Sequence, residues 1–91
     1  MAHLSHSNAD LIARVRRIGG QIAAVERSLR DENDCATVLH LVAAVRGAVN
    51  GLLDQIIAEH VDAHVARPGL TDHERAQGAE ELLAAIRRYS K

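Results

Sequence analysis

Leu11, Val15, Ile18, Ile22, Val25 and Leu29 step along the chain by 4, 3, 4, 3 and 4 residues. That alternation puts all six on one stripe of an α-helix and predicts a first helix over residues 8–30, capped by Ser7 or Asn8. Arg14, Arg17 and Gln21 read as the side opposite the stripe, with Arg16 and Arg27 to one flank, so the helix should have a packing face and a basic polar face. The polar stretch RDENDC breaks the pattern. A second helix then runs over residues 35–65, with Asp34 as its cap. At 1.5 Å per residue it is roughly 45 Å long, more than a chain this small covers by itself. ARPGLTD holds the only proline, Pro68, followed by Gly69, and stops the second helix. Thr71 and Glu74 in TDHE form a capping box that opens a third helix over residues 71–89. The expected fold class is all-α: three helices, the central one long, in a single domain of residues 1–91 without strands or internal repeats.

Composition sharpens this picture. The chain has 91 residues, no Phe or Trp, and Tyr89 as its one aromatic side chain apart from histidine. Its core must therefore be built from Leu, Ile, Val and Ala, which suits helix packed on helix and favours more than one copy. A net charge of −1 excludes a generally basic nucleic-acid binder and leaves local charge to decide. Cys35 is the only cysteine, which excludes an internal disulfide framework and fits a reducing cytoplasm. No uninterrupted apolar run approaches the roughly 20 residues of a membrane span, and MAHLSHSNAD has no signal-like apolar region. The expectation is a cytoplasmic protein with no membrane partner. Six histidines in so short a chain raise the prospect of metal.

His60 and His64 stand four residues apart behind an apolar run, on one helix face. The pair is either half of a metal site or two solvated side chains. Counting 100° per residue from Cys35, the residues Leu39, Val42, Arg46, Val49, Leu53, Ile57, His60 and His64 all fall within about 40° of its direction. One stripe thus carries a thiol at one end and two imidazoles at the other, about 37 Å apart along the axis. Two copies packed antiparallel and crossing near residues 47 to 50 would bring Cys35 of one beside His60 and His64 of the other, twice by symmetry. Gly47 and Gly51 near that midpoint ask for a packing reason, since glycine costs a helix about 1 kcal/mol against alanine. His40 and His73 read as surface residues.

RVRRIGGQIAAVERSL, the single cysteine, VAAVRGAVNGLL and the closing EHVDAH are together similar to the CsoR/RcnR/FrmR family of bacterial repressors, over nearly the whole chain. The resemblance implies a disc-like homotetramer, a dimer of antiparallel dimers without a helix-turn-helix, that binds double-stranded operator DNA and releases it when an effector binds. It implies DNA contact by Arg14 and Arg17, with Arg16 and Gln21 assisting. The copper(I) members resemble a Cys, His, Cys set, whereas this chain has His64 in place of the second thiol, which shifts preference towards nickel, cobalt or zinc. His3, Cys35, His60 and His64 resemble the set of the nickel- and cobalt-responsive branch, with the amine left after removal of Met1 as a further donor and His6 as a substitute for His3.

The expected function is therefore a nickel- or cobalt-responsive repressor of a metal efflux gene, not an enzyme. One alternative is a formaldehyde sensor using Cys35 and the N-terminal amine. That branch resembles chains with an N-terminal proline and no ligand at position 64, where this chain has Ala2 and His64. Another alternative, from a different class, is a helical metal-binding or storage protein without DNA, which the arginine face disfavours.

Overall fold

The computed structural model describes residues 8–89. Three α-helices make up the described chain, α1 (Asn8–Arg30), α2 (Cys35–Val61) and α3 (Asp72–Tyr89), with a π-helical turn over Asp62–Ala66 between the last two. There are no strands among the described residues. The fold is all-α with a long central helix, as the hydrophobic period predicts. Two compact units divide the chain near residue 53, and α2 contributes to each.

In the first unit α1 runs into a tight turn that the sequence does not advertise. Ser28 accepts the Asn33 N–H at 3.1 Å and Leu29 accepts that of Glu32 at 3.2 Å, the paired bonds of a Schellman ending. Such an ending needs one residue in the left-handed region. Here it is Glu32, at φ 55°, where glycine is usual. The Asn33 side-chain amide also donates to the Ser28 hydroxyl at 2.9 Å, satisfying a serine that is otherwise buried. Asp34 then caps α2 through the Thr37 backbone N–H at 3.2 Å and the Thr37 hydroxyl. The Thr37 hydroxyl first, and then its N–H, hold the Asp34 carboxyl below its ordinary value.

The packing face of α1 differs from the expected stripe. Leu11 and Ile18 are buried at 5% and 7% exposure, but Val15 and Leu29 are open at 51% and 60%. Leu11, Arg14, Ile18, Gln21, Val25 and Ser28 are covered, a stripe of the same period rotated by part of a turn, with Ala23 and Ala24 partly covered beside it. Arg14 and Gln21 are thus partly covered and do not lie opposite the packing face. The cause is visible at Gly51 of α2: a Cβ built there would lie 2.7 Å from Arg14 Nη1, so the long arginine side chain lies over a glycine. The stripe of Val15, Ile22 and Leu29 remains solvent-facing, as do Leu39, Val42, Val49 and Leu53 of α2.

In the second unit, the α-helical hydrogen bonding expected up to residue 65 ends at Val61 and continues as the π turn. Arg67 Nη2 pairs with Asp62 Oδ2 at 3.2 Å across five residues, the spacing a π turn brings into register. Arg67 is extended, and Gly69 at φ 90° turns the chain. Thr71 and Glu74 then form the predicted capping box: the Thr71 N–H donates to Glu74 Oε1 at 2.8 Å, and the Glu74 N–H donates to Thr71 Oγ1 at 3.0 Å. The Thr71 backbone bond, followed by its hydroxyl, keeps the Glu74 carboxyl below its ordinary value. Both depressed carboxylates therefore favour folding at neutral pH, and that contribution disappears as pH falls through their lowered native values.

The expectation about membrane-length segments is corrected by the length of the central helical stretch. Cys35–Ala66 is, by length and composition alone, long and apolar enough to cross a membrane. It does not read as an uninterrupted apolar run because Arg46 and His40 punctuate a stretch that is otherwise rich in Leu, Val, Ala and Gly.

Replacing Glu32 by glycine should relieve the left-handed strain and raise unfolding free energy by about 1 kcal/mol in urea melts. An unchanged or lower value would show that the turn is not held at this residue.

Candidate metal and DNA sites

His60 lies in the last turn of α2 and His64 in the π turn. Both are half-buried, and their ring centroids are 4.9 Å apart with the planes tilted by 41°. The pair is thus two neighbouring imidazoles on one face rather than two rings diverging into solvent. His60 Nε2 lies 2.8 Å from the carbonyl oxygen of Gly78 in α3. A carbonyl only accepts, so Nε2 donates here, and in the neutral ring Nδ1 is then the nitrogen that keeps a lone pair. Glu81 Oε1 also approaches Nε2, but at 3.8 Å it is beyond hydrogen-bond reach, and the Gly78 carbonyl is the partner that fixes the ring.

This arrangement fits a metal-ligating histidine, which characteristically donates its second ring N–H to a carbonyl or carboxylate and so holds its free nitrogen in one direction. It does not make a complete site. Among the described residues no group of three or more His, Cys, Asp or Glu side chains gathers that could hold an ion. Cys35, the first residue of α2, is a free, exposed thiol. His3, predicted as a ligand from the N-terminal tail, lies outside the described residues, as does His6. The structure therefore brings His60 and His64 together and, among the described residues, adds no third donor to them.

The four candidate DNA-contacting residues share α1. Arg16 and Arg17 are exposed, while Arg14 and Gln21 are half-buried on the face towards α2. The two groups differ in freedom: Arg17 can follow a phosphate without loss of packing, whereas Arg14 leaves Gly51 when it moves.

Two residues at the histidine pair escape the sequence reading. Gly78 is buried, with His64 packed directly against it, and Arg75 Nη1 donates to the Val65 carbonyl. The signal for Gly78 was present, since a glycine inside a predicted helix asks for a packing reason. The same rule, applied to Gly47 and Gly51, pointed at neighbouring helices. Gly47 meets nothing within 4 Å in the chain, and Gly51 meets a side chain.

Relatives place this chemistry in a family. Residues 7–88 match the sequence model of the metal-sensitive transcriptional repressors. A protein of Serratia marcescens known as an uncharacterized protein in the bioA 5′ region is 45% identical over 91 residues, all of both chains. A transcriptional repressor RcnR homolog of Escherichia coli O139:H28 (strain E24377A / ETEC) is 34% identical, again over the full length of both. Among solved structures, a glutamate-to-histidine variant of the formaldehyde-responsive regulator FrmR from Salmonella enterica serovar Typhimurium superposes with a TM-score of 0.85 at 36% identity, covering 92% of this chain and 94% of that one. With a family match across nearly the whole sequence and full-length relatives above 30% identity, the chain belongs to the metal-sensitive transcriptional repressors of the CsoR/RcnR type.

Proposed function

We propose that this chain is a nickel- or cobalt-responsive repressor that holds operator DNA in the absence of effector and releases it when the ion binds, derepressing a metal efflux gene. The observation that carries the metal reading is the His60–His64 pair, 4.9 Å apart, with His60 held through its Nε2–H so that one nitrogen is presented. Two imidazoles completed by the Cys35 thiolate make a borderline donor set, suited to nickel, cobalt or zinc rather than copper(I). His3 adds a further nitrogen from the tail. The ion supplies a positive centre that draws these donors together; the rest of the response belongs to the protein.

Completion of the site by Cys35 requires a second copy, antiparallel to the first, and the open apolar stripes give a reason for one. Leu39, Val42, Val49 and Leu53 are all exposed in the single chain, and burying side chains of this size stabilises by about 1.5–3 kcal/mol each. The homotetramer is the assembly this reading adopts. The same stripes answer the membrane alternative: Arg46 and Asn50 lie midway along α2, where a span would have to place a charge at the bilayer centre. The protein is read as cytoplasmic, without enzymatic activity, its partner double-stranded operator DNA. Arg17 and Arg16 would contact phosphates directly, and Arg14 and Gln21 would join them from the half-covered face. Release follows by linkage only if the ion binds the DNA-incompetent arrangement more tightly.

A second reading is favoured by the exposure of Cys35 and by the likeness to a formaldehyde-responsive regulator. There the Cys35 thiolate adds to the aldehyde carbon, and condensation with the N-terminal amine expels water to leave a methylene bridge. It predicts a mass increase on Cys35 and DNA release that survives His64→Ala.

Fluorescence-anisotropy titrations on the chain's own upstream DNA separate the readings. Nickel or cobalt should weaken operator binding by about 5–150-fold in the wild type, and Cys35→Ala or His64→Ala should abolish that response. Retention of DNA at saturating nickel and cobalt would remove the metal switch. For the DNA face, Arg17→Ala should weaken effector-free binding and flatten its salt dependence by about one logarithmic unit for each phosphate the arginine neutralises. A salt slope identical to wild type would place the phosphates elsewhere.

A further inference from the structure

α3 engages the end of α2 at three places, all within residues 54–89. The Gly78 carbonyl takes the His60 Nε2–H at 2.8 Å. The Gly78 Cα lies against the π turn itself: a Cβ there would sit 2.8 Å from both the carbonyl carbon and the Cβ of His64, and nearer still to the carbonyl oxygen. Arg75 Nη1 donates to the Val65 carbonyl, one of the acceptors that a helix end leaves without an internal donor.

A π turn is a rare conformation, found mostly as a single turn within an α-helix and frequently at functional sites. On a regular α-helix a residue four places on is rotated by about 40° from the first. Bonding from i to i+5 puts more residues into each turn, so each residue advances less and His64 swings back towards His60. The two ring centroids lie 4.9 Å apart across this turn.

We propose that α3 is a latch that presets the histidine pair, with Gly78 and Arg75 as positioning residues for the effector ion. The bare Cα at 78 lets the π turn form, its carbonyl orients His60, and Arg75 holds the turn's last carbonyls. This rests on the metal-sensing reading but concerns residues outside any ligand set.

The test is Gly78→Ala in the full chain. Alanine is the better helix former, so α3 is not weakened locally, and any loss comes from the collision with His64. Nickel affinity, measured by chelator competition, should fall about 10–100-fold. The metal-free protein supplies an independent readout: long-range proton–nitrogen NMR should show His60 as the Nε2–H tautomer in wild type and as a mixture in the variant. Arg75→Met removes the donor without adding bulk and should give a smaller affinity loss in the same direction, which keeps the proposal testable should Gly78→Ala not fold. Wild-type affinity in both variants, or an Nδ1–H tautomer of His60 in the wild type, would overturn the latch. Wild-type protein that binds no nickel would sink the metal reading instead, leaving the latch to be decided by the tautomer.

Discussion

The contact on which the histidine pair depends is the one between a glycine and a backbone carbonyl. Gly78 lies where no side chain fits, against His64, and its own carbonyl holds His60. A hydrogen bond of this kind contributes only about 0.5–1.5 kcal/mol to stability, little in a whole-chain balance. Its effect on direction is larger, because an imidazole whose second nitrogen is engaged keeps its tautomer and its angle. The capping box at Thr71 and Glu74 matters for the same reason. It fixes where α3 starts, and six residues after Asp72 the helix must present a residue without a side chain.

The other end of the chain is organised by a shortage. Leu11 and Ile18 are the only buried apolar side chains among the described residues, and none is wholly sequestered. Two buried aliphatic residues cannot offset the entropy of ordering helices as long as α1 and α2. The stability must come from surfaces that one chain leaves open, and the open residues are disposed at helical spacing on both helices. An obligate assembly uses one helix face inside the chain and the next between chains. That is how α1 carries two adjacent stripes, Leu11–Arg14–Ile18–Gln21–Val25 facing inward and Val15–Ile22–Leu29 outward.

This doubling explains what could be read in advance and what could not. Three helices, the Asp34 cap and the Thr71–Glu74 box were legible because each is a local rule satisfied by neighbouring residues. The division of the α1 stripe was not, since a single sequence shows the union of both faces, and an arginine lying over Gly51 looks like a solvated charge. The Schellman turn was hidden because Glu32 occupies the position where glycine would have announced it. The π turn was hidden for a deeper reason: nothing in DAHVA prefers it, and the contacts made with it come from α3, on the far side of the intervening loop. At the candidate site, the pairing of the two histidines follows from their spacing, whereas the atom that His60 presents depends on Gly78 and is settled only in the folded chain.

A tie between the histidine pair and α3 also changes what a switch here has to do. An ion that merely filled a preformed pair would bind every arrangement of the protein alike and shift no equilibrium. In the proposed switch discrimination would have to come from the candidate donors outside the pair, the exposed thiol at the start of α2 and His3, not from the two rings already held in place. A preset pair reduces the ordering cost of the first two bonds. In the proposed switch the remaining bonds would draw Cys35 and the N-terminus of α1 into a geometry the operator does not accept. In the proposed switch the held pair would supply affinity, and the other two donors, Cys35 at the start of α2 and His3 ahead of α1 in the sequence, would supply the difference between the two states.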